Sequence, residues 1–237
     1  MTGTTLADAT WQQAGGDLLL VPVGSLEQHG PHLPLDTDTA IAVAVANGTA
    51  ARLAEHGVTT WVAPALTLGS SGEHQHFAGT LSIGTEVLQH MVVELVRSAR
   101  TWVPRVVLVN AHGGNARALT LAVTQLVREG HEVAWLPCRT EEVDLHAGCT
   151  ETSLMLHLHP NSVRVELAEA GNTGPLAEIL PAMIDGGVIA VSPNGVLGDP
   201  AGATAEQGRD LLEMMIADTV QAVLASEDGP PRKDAPG

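Results

Sequence analysis

Short apolar runs alternate with longer segments of helical length along residues 17–137, and this alternation is the feature that most constrains the fold. The apolar runs cover residues 17–23, 58–65, 105–110 and 132–137, and the segments between them cover residues 39–56, 85–102 and 116–129. Strands separated by helices form βαβ units, in which the strands run parallel and helices cover both faces of the sheet. Gly57 and Gly130, directly after two of the segments, are typical of helix C-termini. The sequence therefore predicts an α/β protein, a single-domain α/β/α sandwich with a mostly parallel sheet.

The pattern loosens after residue 137. A short helix is predicted over 151–157, a Gly/Pro-rich stretch follows over 171–200, and a last amphipathic helix is predicted over 203–225. Residues 226–237 have the composition of a disordered tail. Since no internal repeat or linker divides the chain, we expect one domain over residues 1–225 and a disordered tail over 226–237.

Charge and hydropathy exclude several classes of partner. The chain has 11 basic and 27 acidic residues, a formal net charge of −16, whereas nucleic acids and anionic membranes select basic surfaces. No apolar run approaches the roughly 18–20 residues of a membrane helix, and the N-terminus lacks the pattern of a secretory signal. The two cysteines do not form a C-x-x-C motif, which favours reduced thiols in a cytoplasmic protein.

The densest polar segment, GSLEQHGPHLPLDTDT over residues 24–39, follows the first predicted strand. In an extended backbone, Glu27 and His29 would point to one side, and Asp36 and Asp38 repeat that spacing. Imidazoles and carboxylates are ligands of zinc, manganese and iron, so the segment is a candidate metal site. Two alternatives remain: Asp38 could be a helix N-cap, and His32 a loop histidine without a function.

Two further motifs carry similar chemistry. NAHGGN over 110–115 contains His112 at the carboxyl end of a predicted strand, the usual place for a site in open α/β folds. Gly113 and Gly114 permit a tight turn or a close approach to a ligand, with a phosphate cradle as the weaker alternative. HAGCTETS over 146–153 contains His146 and Glu151, which are also candidates for a metal site. The alternative is that Glu151 only complements the dipole of a helix in its first turn and that His146 is a surface histidine.

The segment GSSGEHQHFAGT over 69–80 carries Glu73, His74 and His76. These residue types suit a metal, but the glycines and serines indicate a mobile loop. We therefore expect the three side chains to contact substrate, and we expect replacement of His76 to change substrate handling more than metal content.

Taken in order, VPVGSLEQHGPHLPLDTDT, VNAHGGN and HAGCTETS resemble the three signatures of the creatininase (creatinine amidohydrolase) family. The resemblance implies an α/β fold with two divalent ions per chain, which are zinc, iron or manganese in similar proteins. Matched position by position, Glu27 and His112 would bind one ion, His29 and Glu151 the other, and Asp38 would bridge them. His146 matches the catalytic histidine. Family members commonly form homohexamers, which implies a homo-oligomer here.

One departure bears on the substrate. Creatinine-hydrolysing members carry a glutamate where this chain has Gly114, and tryptophans near the catalytic histidine that this chain lacks. The stretch over 172–200 is more similar to the subgroup encoded in mycofactocin gene clusters. That resemblance implies a peptidase that frees the modified C-terminal Val-Tyr unit of a precursor peptide. A hydroxide shared by the ions would attack the carbonyl, and His146 would protonate the leaving nitrogen. The alternatives are a hydrolase of a small cyclic amide and a non-catalytic protein that binds metal and peptide.

Overall fold

A computed structural model describes residues 4–138 and 144–225. Five strands form one sheet in the order β1-β3-β2-β4-β5, and each pairing between neighbours in this sheet is parallel. The strands are β1 (Thr4–Thr5), β2 (Leu18–Val23), β3 (Thr60–Val62), β4 (Val106–Asn110) and β5 (Val133–Pro137). The α-helices are α1 (Thr37–Glu55), α2 (Gly84–Ala99), α3 (Ala116–Arg128), α4 (Cys149–Leu158), α5 (Leu176–Gly186), α6 (Val188–Val191) and α7 (Ala205–Ala225). The predicted α/β/α sandwich with a mostly parallel sheet is confirmed.

The two central strands are buried on both faces, which explains their unbroken apolar sequences. Every residue of β2 and of β4 is buried. One face packs against α1, α4 and α7 through a cluster that includes Leu18, Leu20 and Val107. The opposite face packs against α2 and α3 through Leu19 and Leu108. The sheet is therefore a rigid support for the loops at its ends.

The topology creates a crevice at the carboxyl ends of β2 and β4. The chain leaves β2 through α1 to reach β3 on one side, and it leaves β4 through α3 to reach β5 on the other. Val23 pairs with Asn110, so the two strands end level with one another. In open α/β sheets, ligands bind where the connections diverge in this way. Both of the motifs that follow β2 and β4 lie at this point.

Most elements predicted from the sequence are present, with ends shifted by a few residues. The Gly/Pro-rich stretch over 171–200, where the sequence predicts no element, contains α5 and α6, and the short edge strand β1 is also not predicted. The expected tail over 226–237 lies outside the described residues. Among the residues that the structure describes, no helix has both the length and the hydrophobicity needed to cross a membrane.

Candidate metal centre

Five acidic or imidazole side chains meet in the crevice between β2 and β4. Four of them are almost fully buried and Glu151 is partly buried. They come from the loop after β2, the first turn of α1, the end of β4 and the first turn of α4; in chain order they are Glu27, His29, Asp38, His112 and Glu151. These are the five residues for which the sequence suggested a ligand role, and the fold brings them together.

Asp38 lies at the middle of this cluster. Its Oδ1 is 3.3 Å from His29 Nε2, and its Oδ2 is 3.3 Å from His112 Nδ1. The Ser25 hydroxyl donates to Oδ2 at 2.7 Å. Helix α1 begins at Thr37, so Asp38 lies inside the first turn and its side chain points into the cluster. The alternative of an N-cap at Asp38 is therefore wrong, and the neighbouring Asp36 is exposed.

The rings of His29 and His112 are oriented by backbone carbonyls. His29 Nδ1 donates to the Glu27 carbonyl at 3.1 Å, and His112 Nε2 donates to the Ser70 carbonyl at 3.1 Å. In a neutral ring, the other nitrogen then carries a lone pair directed at the carboxylates. Metal-binding histidines commonly have this arrangement, because the outer hydrogen bond fixes the tautomer.

Glu27 is the residue whose environment most needs a cation. Its side chain is fully buried, and neither carboxylate oxygen accepts a hydrogen bond. Its Oε1 lies 3.2 Å from His112 Nδ1 and 3.3 Å from His74 Nε2. A buried carboxylate without partners is costly, and a bound cation would satisfy both oxygens. The donor set of carboxylates and imidazoles suits a divalent transition metal.

The imidazoles and carboxylates of the cluster shift one another's pKa values strongly. Burial alone would lower the pKa of His29, but the attraction of Asp38 outweighs burial and raises the pKa to about 10. Burial would likewise raise the pKa of Glu27, but the charge of His112 holds it at about 2. Burial raises the pKa of Glu151 to about 7. Protonated imidazoles therefore balance the carboxylates when no metal is bound.

His146 lies against this cluster. Its Nε2 donates to the Gln28 carbonyl at 2.8 Å, and its Nδ1 is 4.0 Å from Glu27 Oε1. Burial, reinforced by the charge of His29, holds the pKa of His146 well below its usual range, so the ring is neutral. By distance alone, three groups could each hold a metal ion: Glu27, Asp38 and His112; His29, His146 and Glu151; and Glu27, His74 and His146. His146 is therefore placed either to bind metal or to exchange protons beside it.

The three residues of the 69–80 loop lie in different environments. His74 is buried beside Glu27, and burial lowers its pKa to about 4. Glu73 is partly exposed, with Oε1 3.6 Å from His112 Nε2, and His76 is exposed outside the cluster. Sequence reasoning placed all three on the substrate side, but the structure puts His74 among the candidate metal-binding groups.

Sequence reasoning also missed Gln28, which lies inside the E-Q-H motif and contacts both His74 and His146. Its position between two candidate ligands was the available signal. His32 is buried and its Nε2 pairs with the Thr152 hydroxyl at 2.9 Å, away from the cluster. Cys149 contacts Gln207, also away from the cluster.

Gly114 has no room for a side chain. An added Cβ would overlap the carboxylate of Glu73, the carbonyl of Ser70 and the ring of His112, whereas a Cβ on Gly113 would meet nothing within 4 Å. Neither glycine has a positive φ. The crevice therefore has room for a side chain at position 113 but not at position 114.

We expect Gly114→Ala to destabilise the fold by about 1–3 kcal/mol and to weaken metal binding, because the clash displaces His112. Gly113→Ala is the matched control and should change neither property. Thermal unfolding and metal titration of the two variants measure both effects. Equal behaviour of the two variants would contradict this account.

A cavity of about 500 Å³ opens beside the cluster. Its floor includes Glu27, Asp38 and His112, and its wall is largely apolar. The wall is formed in part by Trp135, Leu145, Leu176, Leu180 and Met183. The cavity thus joins a polar floor that can hold metal to an apolar surface that can hold a side chain.

Known proteins resemble this chain in sequence and in fold. The family model "Creatininase: Creatinine amidohydrolase" matches residues 1–223. A mycofactocin precursor peptide peptidase of Mycobacterium tuberculosis (strain CDC 1551 / Oshkosh) is 54% identical over 210 residues, 86% of this chain and 84% of that protein. The solved structure "Creatininase Mn" is 26% identical with a TM-score of 0.76, and covers 96% of this chain and 100% of its own. A mutant creatininase of "Zn-Zn type" is 26% identical with a TM-score of 0.77, at 97% and 100% coverage. The family model matches nearly the whole chain, so this protein belongs to the creatininase family.

Proposed function

We propose that this protein is a binuclear metallopeptidase that cleaves the modified mycofactocin precursor peptide and releases its C-terminal Val-Tyr-derived unit. The observation that carries the proposal is the buried Glu27 carboxylate, whose oxygens lack hydrogen bonds in the middle of four other ligand-type side chains. The relative that is 54% identical is named for cleavage of this peptide.

The five clustered side chains divide into two sets that share one carboxylate. Glu27 and His112 would hold one ion and His29 and Glu151 the other, because each pair lies on one side of Asp38. Asp38 would bridge the ions, since its two oxygens face different histidines. Zinc, iron and manganese all suit these ligands, and similar structures are named for manganese and zinc. When bound, such ions polarise an amide carbonyl and lower the pKa of water.

His146 would transfer the proton in this reaction. Its ring is neutral and its Nε2–H is held by the Gln28 carbonyl, so the free position is Nδ1, directed at the cluster. Nδ1 can accept a proton from the attacking water and then donate it to the departing amide nitrogen. An amide nitrogen leaves poorly unless it is protonated, so this transfer is essential for turnover.

The cavity supports a substrate with an apolar end. Trp135, Leu176 and Leu180 line the wall above the polar floor. A unit derived from valine and tyrosine would bury apolar surface there while its amide bond lies over the floor.

The decisive experiment is a metal count on the purified protein together with a cleavage assay on the enzymatically modified precursor peptide. About two ions per chain with release of the C-terminal fragment would support the proposal. Two ions without cleavage would redirect the substrate toward a small cyclic amide. Absence of bound metal after reconstitution would overturn the proposal.

Metal binding should release protons. The attraction of Asp38 outweighs burial and raises the pKa of His29 to about 10, so this ring is protonated at pH 8; the charge of Glu27 also outweighs burial and raises the pKa of His112. Metal binds only a neutral ring, so at least the proton of His29 should leave and the affinity should rise at least about tenfold per pH unit near pH 8. Calorimetry in buffers of different ionisation enthalpy measures this number. Release of no protons would contradict the ligand assignment of both histidines.

Replacing His76 tests the role of the 69–80 loop. This side chain is exposed and lines a second hollow with Met183 and Gly187, outside the metal cluster. We expect His76→Ala to raise KM for the precursor while the number of bound ions stays the same. Loss of metal with unchanged KM would place His76 in the centre instead.

Two further properties are expected from the sequence: the family resemblance implies a homo-oligomer, and the cysteine pattern favours a cytoplasmic protein. We propose a homo-oligomer, with the hexamer as the expected form, and a cytoplasmic location. Sedimentation equilibrium and cell fractionation test the two proposals separately.

A further inference from the structure

Gln28 lies between two rings of the centre, although it is not itself a metal-binding residue type. Its side chain is 5% exposed. Its Oε1 accepts the Gly30 N–H at 2.9 Å, and its Nε2 donates to the Gly195 carbonyl at 3.0 Å and contacts His74 Nδ1 at 2.8 Å. Every polar atom of the amide therefore has a partner.

The partners fix which way the amide points. The backbone N–H of Gly30 can only donate and the backbone carbonyl of Gly195 can only accept, so the oxygen and nitrogen of Gln28 cannot be exchanged. Gly195 has a φ of 82°, and an added Cβ there would overlap the amide of Gln28. The loop around Gly195 is thus shaped to hold Gln28 in one orientation.

This orientation sets the tautomer of His74. Because Gln28 Nε2 donates to His74 Nδ1, the proton of the neutral ring is on Nε2. His74 Nε2 lies 3.3 Å from Glu27 Oε1. A protonated ring nitrogen cannot bind metal, so in this tautomer His74 offers a proton to the Glu27 carboxylate.

The backbone carbonyl of Gln28 sets the tautomer of His146. The Gln28 carbonyl accepts the Nε2–H of His146 at 2.8 Å, which leaves Nδ1 without a proton. The Gln28 amide nitrogen is also 3.0 Å from that Nε2. Since the proton of Nε2 goes to the carbonyl, the two amide hydrogens are directed at Gly195 and His74.

We propose that Gln28 is a positioning residue that fixes the tautomers of His74 and His146, so that His74 directs an N–H at the Glu27 carboxylate rather than binding metal, and His146 presents a free Nδ1. The effect on metal binding rests on the proposed binuclear centre. The tautomers themselves are a property of the metal-free chain.

The test is long-range ¹H–¹⁵N NMR of histidine side chains in the metal-free full chain, with the His74 signals assigned by their loss in His74→Gln. Wild-type His74 should show the Nε2–H tautomer. In Gln28→Glu the carboxylate only accepts, so His74 should carry a proton on Nδ1. Gln221→Glu, the same change at an exposed position of α7, should leave the spectrum unchanged. If Gln28→Glu fails to fold, Gln28→Met removes the same donor, and His74 should then populate both tautomers.

Metal titration gives the second readout. Gln28→Glu should weaken metal affinity about 10- to 100-fold, as expected for loss of an outer hydrogen bond. His74→Gln should bind the same number of ions as the wild type. An unchanged His74 tautomer in both Gln28 variants, or loss of one ion in His74→Gln, would overturn the proposal. Failure of the wild type to bind metal would instead refute the proposed centre, while the tautomer result would still stand.

Discussion

Replacing His146 with alanine should lower kcat on the modified precursor by about 10²–10⁴-fold and leave the metal content unchanged. The loss is that of one general acid–base group. The neutral ring with its free Nδ1 beside Glu27 is the described side chain best placed to move a proton at the floor of the cavity. Because the leaving nitrogen must be protonated, the loss should appear in kcat rather than in KM. Steady-state kinetics and metal analysis of one preparation measure both quantities.

The control for this variant is His56→Ala. His56 is exposed and follows the last residue of α1, at the opposite end of this helix from Asp38. Its replacement should therefore change neither rate nor metal content. A parallel loss of metal and rate in His146→Ala would identify His146 as a ligand, which its position near His29 and Glu151 also permits. Near-wild-type turnover would show that His146 has no role in proton transfer.

Replacing Glu27 with glutamine should abolish both metal binding and detectable hydrolysis. The substitution removes a negative charge from a fully buried position where the carboxylate faces the imidazoles of His112 and His74. A neutral amide is a much poorer ligand for a divalent ion, and its NH₂ group would lie beside the His112 and His74 rings. We expect the variant to remain folded, because the cluster lies at the end of the sheet and outside its apolar core.

Glu73→Gln is the matched control for this prediction. Glu73 is also close to His112, at 3.6 Å, but it is partly exposed and outside the five clustered residues. Metal analysis after dialysis should find bound ions in Glu73→Gln and none in Glu27→Gln, with circular dichroism confirming that both are folded. Stoichiometric metal in folded Glu27→Gln would remove Glu27 from the ligand set.

The sheet and its flanking helices could be predicted from the sequence because buried elements have recognisable patterns of apolar residues. The central strands β2 and β4 read as continuous apolar runs, and Gly57 and Gly130 have φ values of 79° and 85° directly after helices. Helix α5 was missed because it lies among glycines and prolines and contains Pro181 in its interior. Only Ile179 of that helix is buried, so the helix contributes little to the core.

The candidate site was predictable where its residues are neighbours in the sequence. Glu27 and His29 belong to one short motif, and the family resemblance linked it to His112 and Glu151. The contact between His74 and Glu27 joins residues from separate loops, which no local pattern reveals. The role of Gln28 could not be predicted either, because its orientation depends on the backbone carbonyl of Gly195.

The cavity described above is built from two parts with separate structural supports. The floor sits on strand ends and helix starts, so a shift of the backbone there would displace the candidate metal-binding side chains. The wall is supplied in part by α5, which is anchored through a small separate cluster that includes Ile179, Val188 and Leu197. Substitutions in α5 can therefore change the surroundings of a substrate side chain in the cavity without disturbing the floor. Such a division lets one hydrolytic centre acquire new substrates while its reaction stays the same.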